Sequence, residues 1–217
     1  MASFSTRPLL HIVGDSISLQ YRGYLREHLR KHFRCTREGA EKRAFKNLDI
    51  PMGNNAGDSA SVLTRITLLL AKTRLKPDVI LLNCGLHDIK VDPATRKINV
   101  TIAAYRSNLE QVVACAQKAK VGLVWVRTTH SVDAIHNTGK SPGFQRFAKD
   151  GVRYNRAADE VMSASGVPVV DLNAFTRGLG KDTEIFCDHV HFVERVRELQ
   201  AAFLAGWLVA RRESVRR

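Results

Sequence analysis

The feature that most constrains this chain is a repeated alternation of short apolar runs with amphipathic stretches. "PLLHIVG" (8–14), "PDVILLNCG" (77–85), "VGLVWVRTT" (121–129) and "GVPVVDL" (166–172) are apolar runs too short for helices, and a further short strand is expected within the mixed segment 34–57. Such continuous runs suit strands buried on both faces. Between them, Leu19, Leu25, Leu29 and Phe33 recur near the helical period in 18–33, and Val62, Leu63, Ile66, Leu69 and Leu70 do so in 58–75. Further helices are predicted over 99–120, 144–165 and 193–211, the last with Val196, Leu199, Phe203, Leu204, Trp207 and Leu208 as its apolar stripe. Strand–helix alternation of this kind predicts an α/β fold: a three-layer, doubly wound, flavodoxin-like parallel sheet of about five strands with helices on both faces. No repeat, low-complexity stretch or linker interrupts it, so one domain over 1–217 is expected, with a basic tail at about 211–217.

Composition narrows the function classes. No apolar run reaches the roughly 18 residues of a membrane span, and "PLLHIV" is too short for a signal peptide and lacks a basic segment before it, which points to the cytoplasm. Cys35, Cys84, Cys115 and Cys187 are dispersed, which gives zinc-ribbon or dithiol redox chemistry no support. The formal net charge of +13 is concentrated in 21–43 and in "ARRESVRR" at the end. It describes a solvated helix face and a tail. Aromatics do not interleave with the basic residues, so nucleic acid is not an obligatory partner. Weak association with an anionic polymer is the interaction that this surface favours.

Two Gly-Asp-Ser stretches compete for attention, "GDSIS" (14–18) and "GDSAS" (57–61). Ser16 follows a buried strand and opens a helix, so its hydroxyl is expected at the carboxyl edge of the sheet, near a helix N-terminus that favours negative charge. Ser59 follows a polar loop and is expected, with Asp58, to cap the next helix. "GKSPG" (139–143) matches the G-x-S-x-G elbow, with Asp171 and His191 after it in order, but no strand precedes Ser141 and Pro142 follows it at once, so it reads as a loop. A nucleophilic serine needs a base and an orienting acid. "CDHVHF" (187–192) offers Asp188 and His191 three residues apart, a spacing at which a tight turn lets the carboxylate reach one ring nitrogen.

"GDS" after the first strand, "NNAGDS" in the second block, "LLNCGLHD" after the third strand and "DHVH" near the end resemble, in order and spacing, the blocks of the SGNH hydrolases, also called GDSL esterases. The resemblance implies Ser16 as nucleophile, Asp188 and His191 as its triad partners, and an oxyanion hole from the Ser16 and Gly57 N–H groups. The third block departs from the family's G-x-N-D: His87 stands at the asparagine position, as a variant donor, with Asn83 the alternative. Asp15 and Asp88 are expected to hold turns, and Thr128, Thr129 and His130 to line the pocket. The resemblance implies a serine esterase for short acyl esters, acetyl on a carbohydrate among them, with no metal and no cofactor. Two rivals remain at this level: a metal-dependent hydrolase using Asp188, His189 and His191 with His87 and Asp88, and a non-catalytic module binding an anionic polymer.

Overall fold

A computed structural model describes residues 7–71, 76–138 and 143–215. Five parallel strands form one sheet: β1 (Leu9–Val13), β2 (Arg34–Thr36), β3 (Val79–Leu82), β4 (Gly122–Val126) and β5 (Val169–Val170), in the order β2-β1-β3-β4-β5. The register runs Val13 opposite Leu82 and Leu82 opposite Trp125, so these strands end level with one another. β1 is buried along its whole length, as a strand covered on both faces must be.

The helices are α1 (Ser16–His28), α2 (Glu41–Ala44), α3 (Ser59–Ala71), α4 (Ile102–Ala119), α5 (Asp133–His136), α6 (Ala148–Ala164), α7 (Leu172–Arg177), α8 (Asp182–Ile185) and α9 (Glu194–Val215). α1 packs on α9 and α9 on α7, while α4 packs on α3 and on α6, which gives the two helical layers. α9 buries Val196, Gln200, Ala201, Leu204, Ala205 and Leu208, a stripe at helical spacing. The polar member of that stripe, Gln200, donates from Nε2 to Thr176 Oγ1 on α7 at 3.0 Å. Leu199, Phe203 and Trp207, expected in the stripe, flank it half-buried, and Phe203 stacks on Phe175 with ring centroids 4.2 Å apart. The helix continues to Val215, beyond the expected start of the tail.

After β1 the chain moves outward to β2 and then returns across β1 to β3. That reversal falls beside β1 and β3, and the carboxyl ends of strands at such a point are where open α/β sheets bind ligands. The Asn83 N–H donates to Val13 O at 3.0 Å and the Ala56 N–H to Gly14 O at 2.9 Å, so the first three sequence blocks meet there. Among the described residues, no helix is long and apolar enough to cross a membrane.

Candidate active site

Ser16 is the first residue of α1. The preceding Asp15 caps the helix, its Oδ1 accepting from the Ile17 N–H at 3.0 Å. At this helical position the Ser16 N–H has no intrahelical acceptor, as the first-turn amides of any helix do not. Burial pushes the Asp15 carboxyl up, against its hydrogen bond from Ile17 and the charges of Arg146 and Arg37.

The partner of Ser16 arrives from the other end of the chain. Phe186 and Phe192 form an antiparallel bridge with their rings stacked at 4.8 Å, and the Cys187 N–H donates to His191 O at 2.9 Å, closing a tight loop over 187–191. Within it, Asp188 Oδ1 accepts from the Val190 N–H at 2.8 Å and the His191 N–H at 2.7 Å. This turns Oδ2 toward the imidazole, and His191 Nδ1 lies 2.8 Å from it. A carboxylate only accepts, so Nδ1 carries the proton and leaves Nε2 of the neutral ring as an acceptor. Ser16 Oγ lies 2.8 Å from that Nε2. Burial pulls the Asp188 carboxyl up, but the hydrogen bond and charge of His191 and the two backbone N–H groups outweigh it and hold the carboxyl below the usual range. Ser16 and His191 are buried, at 4% and 2% exposure.

The other expected positions divide. Asp88 holds a turn: its Oδ1 accepts from the Ser59 N–H at 2.9 Å, and burial pushes the carboxyl up to about 7. Ser59 is tied into α3 and receives Asn108 Nδ2 on its hydroxyl at 2.9 Å, far from the His191 loop in its bonding, while Asp58 caps α3 through the Ser61 N–H. Asn83 is corrected: its amide donates to Val126 O at 2.9 Å and Thr128 Oγ1 at 3.2 Å, which uses both hydrogens and leaves none for an oxyanion. His130 is corrected too. Its Nε2 meets Asp182 Oδ1 at 2.9 Å and its ring packs on Phe186 and Phe192, so it braces the His191 loop instead of lining an open pocket. Thr128 is spent on Cys84 O at 2.7 Å, whereas the buried Thr129 Oγ1 has no partner among the described residues.

Gly57 takes φ +75°, and a Cβ there would stand 2.8 Å from Pro51 Cβ, so the turn requires glycine. Its N–H donates to Asn55 Oδ1 at 3.1 Å, inside its own loop. His87 is buried, and burial with the charges of Lys90 and Arg146 holds its imidazole well below the ordinary histidine value. It is therefore neutral and carries one N–H donor.

Sequence reasoning missed a second polar string beside the first. Asp49 Oδ2 lies 3.1 Å from His189 Nε2, and His189 Nδ1 lies 2.7 Å from His136 Nδ1. His189 meets His191 edge-on at 5.9 Å, so this string steadies the catalytic-looking loop from its outer side. Asp188, His189 and His191 do place one ligand atom each within 4.8 Å of the others. Both nitrogens of His189 and both of His191 already have partners, and Asp88 faces Ser59. A cation there has to break this network, and the expected convergence of Asp88 on it does not occur. For the rival elbow, Ser141 lies outside the described residues, Asp171 pairs with Arg127 and caps α7 through the Ala174 N–H, and His191 is on Ser16.

The GDSL-like lipase/acylhydrolase family model matches residues 12–196. Among solved structures, a lipase/acylhydrolase from Enterococcus faecalis superposes with a TM-score of 0.67 at 18% identity, over 94% of this chain and 96% of that one. An acetylxylan esterase from Geobacillus stearothermophilus does so with 0.64 at 14% identity, over 91% and 92%. At these identities the likeness is one of fold. No curated protein matches the chain. The family match takes in the Ser16 turn, the His87 loop and the Asp188–His191 loop alike, and on it this chain belongs to the GDSL-like lipase/acylhydrolase family, hydrolases acting on ester bonds.

Proposed function

We propose that the chain is a serine esterase for short acyl groups, acting through Ser16, His191 and Asp188. The observation that carries this reading is the unbroken hydrogen-bonded line from Asp188 Oδ2 through His191 to Ser16 Oγ. His191 Nε2 takes the hydroxyl proton as Ser16 attacks the ester carbonyl, and Asp188 stabilises the imidazolium. His191 then protonates the leaving alcohol. Water enters, gives a proton to the same nitrogen and attacks the acyl carbon, and His191 returns that proton to Ser16 Oγ as the acid departs.

The tetrahedral oxyanion needs donors in place. The Ser16 N–H at the start of α1 is one and the neutral His87 ring another. The Gly57 N–H, which donates to Asn55 Oδ1 within its own loop, joins them only where that bond is given up to the stronger anionic acceptor. Each such donor is worth about 3 kcal/mol of barrier.

Acetyl on a carbohydrate is the substrate we favour. Structural neighbours include acetylxylan esterases. An apolar cavity of about 650 Å³ does exist, but Pro8, Asp78, Gly122 and Val167 line it at the amino ends of the strands. That is the opposite edge of the sheet from Ser16, so it cannot take an acyl chain attached there. Hydrolysis of aryl esters of increasing chain length tests the reading: acetate is expected to exceed octanoate, Ser16→Ala to lose about 10⁴-fold or more in kcat, and Ser59→Ala to keep most of its rate. Undiminished turnover by Ser16→Ala, or preference for the long chain, would reject it.

A further inference from the structure

Arg146 is 2% exposed, an unusual place for a guanidinium. Among the described residues it has no carboxylate within hydrogen-bonding distance, and its Nη1 is buried without a partner. Leaving a buried cation in this state is costly, yet the surrounding chain fixes it firmly. The Arg146 N–H donates to Asn137 Oδ1 at 3.0 Å, and Asn137 Nδ2 donates to Arg146 O at 2.7 Å. The neighbouring Gln145 exchanges two backbone hydrogen bonds of 2.8 Å with Val91. The guanidinium stacks over Phe144, 4.8 Å from the ring centroid, and its Nε donates to Leu86 O at 2.7 Å.

Leu86 O belongs to the peptide that joins Leu86 to His87. On the far side of His87, its own carbonyl accepts from Asn99 Nδ2 at 3.1 Å. The His87 backbone is thus held before and after. Its imidazole, by contrast, has no hydrogen bond that fixes its rotation among the described residues. Lys90, Arg146, Asp49 and His191 are the charged and titratable groups that act on it, and burial adds to the two cations in keeping it neutral. A neutral ring has a single donor, and the backbone that carries the ring sets the region that donor can reach.

We propose that Arg146 is a positioning residue for the esterase reaction: its hold on the Leu86 carbonyl aims the His87 N–H at the oxyanion. The proposal rests on the serine-esterase reading and goes beyond it, because it gives a role to a residue outside the triad and the oxyanion donors.

A double-mutant cycle tests it on the full chain with an aryl acetate. Arg146→Gln is expected to lower kcat about 10- to 100-fold with KM within about twofold, part of what losing an oxyanion donor costs. In a His87→Ala background the same substitution is expected to change kcat by less than about twofold, since the group it aims is gone. Arg146→Lys keeps a charge and a donor and is expected to lose less, again only while His87 is present. It carries the same comparison if the glutamine variant does not fold. Equal losses with and without His87 would overturn the proposal, as would a loss confined to KM. The Ser16→Ala control separates the two levels. Full turnover there removes the serine reading and this proposal with it, whereas abolished turnover there with additive losses at 146 removes only the proposal.

Discussion

Asp188 shows how much one side chain can specify. One oxygen accepts two backbone N–H groups and shapes the turn, and the other fixes the His191 tautomer. His87 is the residue at which this chain departs from its family, and its neutrality has a consequence for pH. Its pKa is lowered, so its proton binds only well below the ordinary histidine range, and raising the pH through 6 to 8 does not change its charge. The acid limb of the rate profile then belongs to another group. His87→Asn is expected to retain kcat within about tenfold and to leave the acid limb of kcat/KM in place. A limb that moves by a full pH unit would show that His87 titrates during turnover. At this scale the sequence was informative where chemistry sits in one turn: D-x-x-H and GDS were both legible. It was silent on Asp49, His136 and Arg146, whose roles exist only because loops from distant segments converge. Asn83 misled because a polar residue at a strand end was read as open when both its amide hydrogens were already committed, and His130 because its Nε2 and ring are taken up by Asp182, Phe186 and Phe192.

The elements were legible in proportion to their length. β1, β3 and β4 announced themselves as apolar runs, and α1, α3, α4, α6 and α9 are long enough to display the helical period. The short α5, α7 and α8, at four to six residues, carry too few repeats for a period to appear, and β5 keeps only two residues in the ladder. The β3-to-His87 turn shows what an element boundary demands. Gly85 takes φ +147°, and an added Cβ would stand 2.7 Å from Thr128 Oγ1, itself held by Cys84 O. Gly85→Ala therefore combines backbone strain with a clash against a committed neighbour. It is expected to cost about 2 kcal/mol in urea denaturation and to depress turnover by displacing His87. Unchanged stability and rate would show that this turn tolerates an ordinary residue.

At the scale of the whole molecule, folding brings together groups 175 residues apart. The packing of α1 on α9 makes this possible, because one helix begins at Ser16 and the other begins just after the His191 loop. Tyr24 in the second half of α1 donates to Glu194 at the start of α9, 2.5 Å away, and ties the two helices together. The parallel sheet predicted from the alternation of elements accounts for the place of the site, since the strand order reverses beside β1 and open α/β sheets bind ligands at such a point. The order itself rests on which helices share a face, and no local pattern encodes that. The most direct measurement is covalent labelling by a fluorinated or aryl organophosphonate, followed by peptide mass mapping of the intact chain. Phosphonylation of the peptide containing Ser16, lost in both Ser16→Ala and His191→Ala, is the expected result; a tag on Ser59 or Ser141, or labelling indifferent to His191, would contradict it.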